Sequence, residues 1–235
     1  MSIGNVSVVL VHGAWADGSS WSKVIERLKA NGIRAVAAPL PLSALHDDVA
    51  ALDRTLERID GPVVVVGHAY AGAVIGATRA DNVKALVYVA ALAPAEGETV
   101  SDVFYRGEAH PLAPRLAPDR HGQIWLPEEA FAAAFAQHAS AQELTVLGAV
   151  QRPISAACIG EVLGRPLWKN RPSWFLIAGQ DRMINPDTQR FMAQRMNAHV
   201  HSYEVDHTPL VTAPDLVTDV IVEAVRAVST SSSTS

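Results

Sequence analysis

Cysteine is almost absent from this 235-residue sequence, which contains Cys158 alone. One cysteine cannot form an internal disulfide, and a lone cysteine is far more often a small buried apolar residue than a nucleophile. A chain without disulfides suits a reducing compartment, so the sequence predicts a cytoplasmic protein.

Segments that would direct or anchor the chain elsewhere are also missing. No stretch has the charged, apolar and small-residue order of a signal peptide, and no apolar run reaches the roughly 18 to 20 residues that cross a bilayer. We therefore expect the mature chain to start near Met1 and to have no membrane partner. The last seven residues, Ser229–Ser235, contain only serine and threonine and are expected to form a disordered tail.

Several kinds of binding site are excluded on charge and spacing. The net charge of −5 predicts no basic face for nucleic acid or anionic membrane. Gly13 and Gly18 do not form a phosphate or dinucleotide fingerprint. His199 and His201 have no carboxylate or cysteine at ligand spacing, so no metal site is expected. We predict no cofactor and no metal, and the sequence indicates no oligomeric state.

The hydrophobic content of 49% is enough for one sizeable core, and short apolar runs alternate with helical patterns. Six runs are predicted strands: Val6–Val11, Arg34–Ala38, Val63–Val66, Val83–Ala90, Ser173–Ala178 and Val200–Val205. Helices are predicted around Trp21–Leu28 and over Asp47–Ile59, Asp187–Met196 and Ala213–Ala227. This alternation predicts an α/β fold with a mostly parallel, doubly wound sheet of six strands.

The alternation breaks between residues 94 and 170. This stretch has Pro and Gly clusters, no predicted strand, and helical patterns over Glu128–His138 and Ala141–Gln151. A structureless loop of that length is improbable in a compact domain. We therefore predict a helical cap inserted into a core formed by residues 1–93 and 171–228.

The four valines at Val63–Val66 run into Gly67-His68-Ala69-Tyr70-Ala71-Gly72 and then into a helix of small residues. A strand, a sharp turn and a helix with small residues around a central position are typical of a nucleophile elbow, which is usually Gly-x-Ser-x-Gly. Gly67 and Ala71 satisfy its steric requirement. The central residue here is Ala69, whose methyl group cannot attack a substrate.

An acid and a histidine follow later strands, where open α/β sheets place their sites. Asp181 comes just after the fifth predicted strand and His207 just after the sixth. Asp206 is a second acid, but a sequence neighbour usually points elsewhere, so Asp181 is preferred. We expect His68 to pack beside the elbow or to make a supporting hydrogen bond.

With these motifs in register, the sequence resembles the α/β-hydrolase superfamily. Within it, the chain is similar to plant methyl esterases, hydroxynitrile lyases and bacterial pyrethroid-type carboxylesterases. The similarity runs from Val6 to about Ala227, and the chain starts at the strand that is usually third. The resemblance therefore implies an α/β-hydrolase fold that lacks the first two strands of the longer pattern.

The resemblance also assigns roles by position. It implies that Ala69 is the nucleophile position, His207 the general base and Asp181 its orienting carboxylate. The backbone N–H groups of Ala14 and Tyr70 would form the oxyanion hole. These roles are chemically coherent, because a serine hydroxyl needs an imidazole to take its proton and two N–H donors stabilise the developing oxyanion.

Two positions depart from the hydroxynitrile lyases. Those enzymes carry a threonine where this sequence has Gly13 and a lysine where it has Thr208, so cyanohydrin chemistry is not expected. Trp15, Phe104 and Trp125 are candidate substrate contacts. Five aromatic residues of the cap could line an apolar pocket over the elbow: Phe104, Tyr105, Trp125, Phe131 and Phe135. Aromatic residues at helical spacing more often belong to the core, however.

The predicted function is a carboxylic ester hydrolase of the Ser-His-Asp type that acts on a small, fairly apolar ester. Because Ala69 replaces the nucleophile, turnover should fall by a factor on the order of 10⁶. The favoured explanation is a deliberate serine-to-alanine change. The alternatives are a natural serine-independent His/Asp enzyme, decarboxylase-like or lyase-like, and a protein that only binds a ligand.

Overall fold

The computed structural model describes residues 5–231, and its centre is a parallel β-sheet. The strands are β1 (Ser7–Val11), β2 (Arg34–Ala38), β3 (Val63–His68), β4 (Val83–Val89), β5 (Gln123–Ile124), β6 (Ile154–Ser155), β7 (Ser173–Ala178) and β8 (His199–Tyr203). Six of them form the main sheet in the order β2-β1-β3-β4-β7-β8, and every pairing is parallel. The predicted six-stranded α/β-hydrolase fold class is confirmed.

Helices connect the strands and cover both faces of the sheet. The α-helices are α1 (Ser22–Ala30), α2 (Leu45–Leu56), α3 (Ala71–Ala77), α4 (Val100–Phe104), α5 (Glu128–Ala130), α6 (Ala141–Val150), α7 (Ala156–Gly160), α8 (Pro186–Arg195), α9 (Pro209–Thr212) and α10 (Pro214–Ser231). Because strands β1 and β3 are apolar and covered on both faces, their side chains are buried throughout.

The strand order reverses beside β1. The chain moves outward from β1 to β2, returns to β3 on the other side of β1, and then continues to β4. Such a reversal leaves a crevice at the carboxyl ends of the two strands on either side of it. The loop after β1 and the turn after β3 therefore meet at this edge.

The segment between residues 94 and 170 differs in part from its prediction. It contains the helices α4 to α7, but β5 and β6 pair antiparallel within it, so the expectation of a strand-free segment was wrong. The predicted helix Glu128–His138 is also shorter, since α5 opens into a π-helical turn over Phe131–Phe135. The division into core and cap domains stays a prediction.

The C-terminal helix extends further than predicted. Helix α10 runs to Ser231, three residues into the segment expected to be a disordered tail, so that boundary was wrong. The rest of the tail, 232–235, and the start at Met1 lie outside the described residues. None of the helices within 5–231 combines the length and apolar character that a bilayer crossing requires.

Candidate active site

The turn between β3 and α3 holds Ala69 in a left-handed conformation, with φ of 51°. The turn is tight because a Cβ on Gly67 would lie 2.8 Å from the Ala71 carbonyl oxygen, and one on Gly72 would lie 2.3 Å from the Leu92 oxygen. Both distances are below any ordinary contact, so these two positions require glycine. Residue 69 thus has the backbone of a nucleophile elbow and the side chain of alanine.

Asp181 and His207 form a buried hydrogen-bonded pair. The Nδ1 atom of His207 lies 2.8 Å from Oδ2 of Asp181. The other carboxylate oxygen, Oδ1, accepts the N–H groups of Met183 and Ile184, each at 2.8 Å. The carboxylate is therefore fixed from two sides, which sets the orientation of the imidazole.

Gln189 is a fourth hydrogen-bond donor to Asp181, after His207, Met183 and Ile184, and the sequence did not indicate it. The side-chain amide of Gln189, in α8, donates to Oδ2 at 2.8 Å and to the Ile184 carbonyl at 3.0 Å, and its oxygen accepts the Ala178 N–H at 3.0 Å. Gln189 is fully buried. No sequence motif marks such a glutamine, because its partners come from the strand and loop that precede its helix.

The ring of His207 presents its second nitrogen to a pocket. Nδ1 is bonded to Asp181, whereas Nε2 has no hydrogen bond to any residue within 5–231. The backbone oxygen of His207 accepts Nε2–H of His68 at 2.7 Å. The imidazole of His207 is thus held at both its Nδ1 side and its backbone, while Nε2 stays available for proton transfer.

Asp206 points away from this pair. Its Oδ2 atom accepts the N–H of His138 at 3.0 Å, and its Oδ1 atom accepts the hydroxyl of Thr212 at 2.6 Å. The carboxylate therefore ties segment 94–170, which contains His138, to α9 and is not bonded to the ring of His207. This geometry agrees with the preference for Asp181.

Two buried histidines, His12 and His68, lie in the loop after β1 and at the end of β3. Burial lowers the pKa of His68 to about 3, and burial also lowers the pKa of His12. His12 donates from Nδ1 to the Gly13 oxygen at 2.9 Å and accepts the Leu40 N–H on Nε2 at 3.1 Å. These bonds fix one tautomer of His12 and hold the loop that follows β1.

That loop carries Ala14 and Trp15 beside the elbow. Trp15 adopts φ of 57°, and it donates its backbone N–H to Arg152 at 3.0 Å and its indole N–H to Ile124 at 2.9 Å. Among the described residues, neither Ala14 nor Tyr70 has an acceptor for its backbone N–H. Both residues line the same pocket as Ala69, so these two donors lie at the site.

Close packing explains why position 13 is a glycine. A Cβ there would lie 3.0 Å from the Cβ of Ala69 and 3.0 Å from the His68 carbonyl oxygen. A branched side chain such as threonine would crowd the central residue of the elbow. The departure from the hydroxynitrile lyases at this position therefore matches the local packing.

A narrow pocket joins these groups. Its volume is about 60 Å³, and Ala69, His207, Ala14, Trp15 and Phe104 line it. Apolar residues from segment 94–170 complete the walls, namely Val100, Leu116, Ile124, Ile154 and Ile159. The lining contains no Asp, Glu, Lys or Arg side chain. The pocket therefore suits an uncharged, apolar ligand.

The predicted aromatic contacts are only partly at the pocket. Trp15 and Phe104 line it, and Tyr105 lies at its mouth with 62% of its surface exposed. Trp125 does not line it and is half exposed, so this candidate contact is corrected. Phe135 packs its ring against His207, with 5.3 Å between centroids, and is buried in the core.

Tyr70 turns its side chain away from the pocket. Its hydroxyl donates to Asp48 at 2.7 Å, and the same carboxylate accepts the Leu42 N–H at 2.7 Å and the Cys158 thiol at 3.6 Å. Burial raises the pKa values of Asp48 and Tyr70, and it raises the pKa of Cys158 to about 12. A thiol with that pKa stays protonated, so Cys158 is a packing residue and not a nucleophile.

The positions of these groups on the sheet define the class of protein. A strained turn after a central parallel strand and an imidazole–carboxylate pair on later strand ends characterise the α/β-hydrolases. The model of the alpha/beta hydrolase family matches residues 8–220, and the chain belongs to this family. Within 5–231, no cluster of three or more His, Cys, Asp and Glu residues has the arrangement of a metal site.

Comparisons with individual proteins agree with this assignment. The chain is 34% identical to the lipase LipV of Mycobacterium tuberculosis over 114 residues, which cover 43% of this chain and 42% of the lipase. It thus aligns with less than half the length of that relative. A pyrethroid hydrolase from Sphingobium faniae JZ-2 has a TM-score of 0.80 and 21% identity, with 94% of this chain and 98% of that chain covered. A methylesterase from Arabidopsis has a TM-score of 0.76 and 16% identity, with 94% and 99% covered. The two structures show the shared fold.

Proposed function

We propose that this protein is an esterase-type α/β-hydrolase whose site binds a small, uncharged, largely apolar carboxylic ester and lacks a nucleophile at Ala69. One observation carries the proposal: the Asp181–His207 pair reaches the pocket in which Ala69 occupies the elbow. The esterase and lipase names of the similar proteins support the same class of substrate.

With a serine at position 69, the arrangement supports acyl-enzyme chemistry. The serine oxygen attacks the ester carbonyl carbon while Nε2 of His207 takes its proton. The N–H groups of Ala14 and Tyr70 then hold the oxyanion. When the tetrahedral intermediate collapses, the alcohol leaves with the proton from His207, and a water molecule later releases the acid by the same steps.

With Ala69, this pathway is closed, because a methyl group has no lone pair and no proton to transfer. The binding pocket and the oxyanion donors do not depend on that hydroxyl. We therefore propose that the chain holds an ester without forming an acyl-enzyme. This proposal applies equally to an engineered and to a natural alanine.

The substrate class follows from the walls of the pocket. A volume of about 60 Å³ suits a short chain or a small ring at the carbonyl end, and the absence of Asp, Glu, Lys and Arg from the lining disfavours ionic substituents. We propose that the segment 94–170 acts as the cap that sets this preference, since it supplies half of the residues that line the pocket.

The decisive experiment installs the missing hydroxyl. In the Ala69→Ser variant, p-nitrophenyl acetate and butyrate should be hydrolysed faster than by the parent chain by a factor on the order of 10⁶, because the serine pathway becomes available. Release of p-nitrophenol measures the rate, and a phosphonate inhibitor should label Ser only in the variant.

Two double variants test whether the gain depends on His207 and Asp181. Adding His207→Ala or Asp181→Asn to Ala69→Ser should remove most of the gain, while circular dichroism verifies that each protein is folded. If Ala69→Ser folds and shows no gain with any of these esters, the proposal is wrong.

A second candidate function is serine-independent hydrolysis by water. The specific observation in its favour is that Asp181 keeps four donors and Nε2 of His207 stays unbonded although residue 69 is alanine. Nε2 would take a proton from a water molecule whose oxygen attacks the ester carbonyl directly. Turnover by the parent chain that is lost in His207→Ala and shows no covalent intermediate would favour this function.

The remaining alternatives are distinguishable by ligand chemistry. A decarboxylase-like reaction needs a bound carboxylate, and among the residues that line the pocket no lysine or arginine is present to hold one. A purely binding role predicts that ester affinity is unchanged when His207 and Asp181 are both replaced and that no product forms.

A further inference from the structure

A groove beside the edge strand β2 is positively charged, although the chain has a net charge of −5. It runs between strand β2 and helix α2 and has a volume of about 890 Å³. Its arginines, called here the groove arginines, are Arg34, Arg54, Arg58 and Arg152. Glu57 is the one acidic residue among the described lining residues, so four positive charges face one negative charge.

The groove arginines are not neutralised by the protein. Three arginines elsewhere form ion pairs, namely Arg27 with Asp215, Arg190 with Asp187 and Arg195 with Glu98. Within residues 5–231, by contrast, the side chains of the groove arginines make no hydrogen bond and no ion pair. Four like charges around one groove repel each other, and an anionic ligand would relieve that repulsion.

The groove also contains an open sheet edge. Strand β2 is the first strand of the sheet and pairs with β1 alone. Outside this pairing, no backbone hydrogen bond of residues 34–38 is present in the described part of the chain. An edge strand leaves the N–H and C=O groups on its outer side available to another extended chain.

We propose that this groove binds an acidic peptide segment in an extended conformation, which adds to β2 as a further strand. Recognition would combine main-chain hydrogen bonds to β2 with ion pairs between glutamate or aspartate side chains and the groove arginines. This site is separate from the pocket at Ala69 and does not depend on the function proposed for that pocket.

The spacing of charges agrees with an extended peptide. Arg54 lies in α2 and Arg58 in the turn that follows it, and four residues at the helical rise span about 6 Å. Alternate residues of an extended strand are about 6.6 Å apart and lie on one face. Acidic residues at every second position can therefore reach both arginines, while the apolar floor at Val36, Leu40 and Ile59 accepts the stems of the side chains.

The test uses the full chain and a fluorescein-labelled octapeptide in which glutamate alternates with threonine. Fluorescence anisotropy should show saturable binding that weakens as salt rises from about 50 to about 200 mM, as expected for charged contacts. Hydrogen exchange should slow at the outer amides of residues 34–38 when the peptide is bound. The same peptide with lysine in place of glutamate should not bind.

Paired variants locate the site. Arg54→Ala with Arg58→Ala should weaken binding at least about ten-fold, whereas Arg190→Ala with Arg226→Ala removes two exposed arginines elsewhere and should change it less than about two-fold. A peptide in which two threonines are replaced by proline lacks two N–H donors and should also bind about ten-fold more weakly.

Several results would overturn the proposal. No binding of the acidic octapeptide, or equal binding by both double variants, would remove the groove as its site. Equal binding of the proline peptide, or displacement by inorganic tripolyphosphate without any protection of residues 34–38, would identify a general polyanion site instead. Dimerisation of the chain through β2, seen by sedimentation and unaffected by the peptide, would identify a second copy as the occupant.

Discussion

At the scale of single residues, Gln189 combines full burial with a side-chain amide that makes three hydrogen bonds. It is fully buried and joins the carboxylate of Asp181 to the end of β7 through three hydrogen bonds. Replacing it by leucine leaves the Ala178 N–H and one carboxylate lone pair without a partner. Gln189→Leu should therefore lower the free energy of unfolding by about 1 to 3 kcal/mol in urea denaturation.

The matched control is Gln194→Leu, which makes the same replacement on the exposed side of the same helix. It should change the free energy of unfolding by less than about 0.5 kcal/mol. In the Ala69→Ser background, Gln189→Leu should also lower kcat more than it raises KM, because the carboxylate that orients His207 is less fixed. Equal effects of the two leucine variants would contradict this role.

The residues of the site differ in how visible they are in the sequence. Ala69, Asp181 and His207 are recognisable because each follows an apolar strand and sits in a short loop with a typical composition. Gln189 and Asp48 are invisible, because their importance comes from burial against partners in other elements. Trp125 was misjudged for a related reason: an aromatic side chain has apolar character whether it faces a pocket or solvent.

At the scale of elements, the contact between α3 and the chain after β4 depends on one glycine. A Cβ on Gly72 would lie 2.3 Å from the Leu92 oxygen, whereas a Cβ on Gly76, one turn later, would have its nearest neighbour at 3.5 Å, the hydroxyl of Tyr88. Gly72→Ala should therefore push α3 away from the sheet and destabilise the protein by about 1 to 3 kcal/mol.

Gly76→Ala is the control on the same helix. It meets only ordinary contacts and gains helix propensity, so it should be neutral or stabilising by up to about 1 kcal/mol. Thermal unfolding of both variants gives the comparison. A Gly72→Ala protein as stable as Gly76→Ala would show that the helix can shift without cost.

The elements themselves were predictable where periodicity is strong. Strands β2 and β7 begin and end at the predicted residues, because each apolar run is bounded by proline, glycine or charge. The pair β5–β6 could not be predicted, since two-residue strands have no measurable period and owe their conformation to each other. The extension of α10 to Ser231 was missed because serine and threonine are poor indicators of a helix, although a preceding helix can continue through them.

At the scale of the whole molecule, the buried histidines make stability depend on pH. His68 has an ordinary pKa of 6.5 when unfolded and a pKa of about 3 when folded, because burial disfavours its charged form. Between these values the unfolded chain binds a proton that the folded chain does not. Stability should therefore fall as pH falls below about 6.5, by up to about 1.4 kcal/mol per pH unit for this group.

The variant His68→Gln tests this dependence. Glutamine can still donate to the His207 carbonyl but does not titrate, so the decline between about pH 6.5 and 4.5 in urea denaturation should become shallower by up to about 1.4 kcal/mol per unit. Burial lowers the pKa of His12 as well, so a smaller slope should remain. Asp48 acts in the opposite direction, because its raised pKa favours the folded state at low pH. An unchanged slope in His68→Gln would contradict the burial effect.

Net charge is a poor guide to local charge in this molecule. The total of −5 predicts no basic surface, yet four arginines from β2, α2, the end of that helix and the segment after α6 meet in one groove. Their sequence positions are up to 118 residues apart, from 34 to 152, so only the fold brings them together. The overall class of the molecule could be predicted, whereas its surface pattern could not.

The two hydrogen bonds of Trp15 to Arg152 and Ile124 have a consequence for how molecules would enter and leave. They fasten the residue next to Ala14 to segment 94–170, so a hinge-like movement of that segment would displace the backbone N–H of Ala14 from the pocket. A ligand that enters without such a movement would pass the exposed ring of Tyr105, which lines the pocket, and a bulkier side chain there should slow ligand exchange without changing the groups inside.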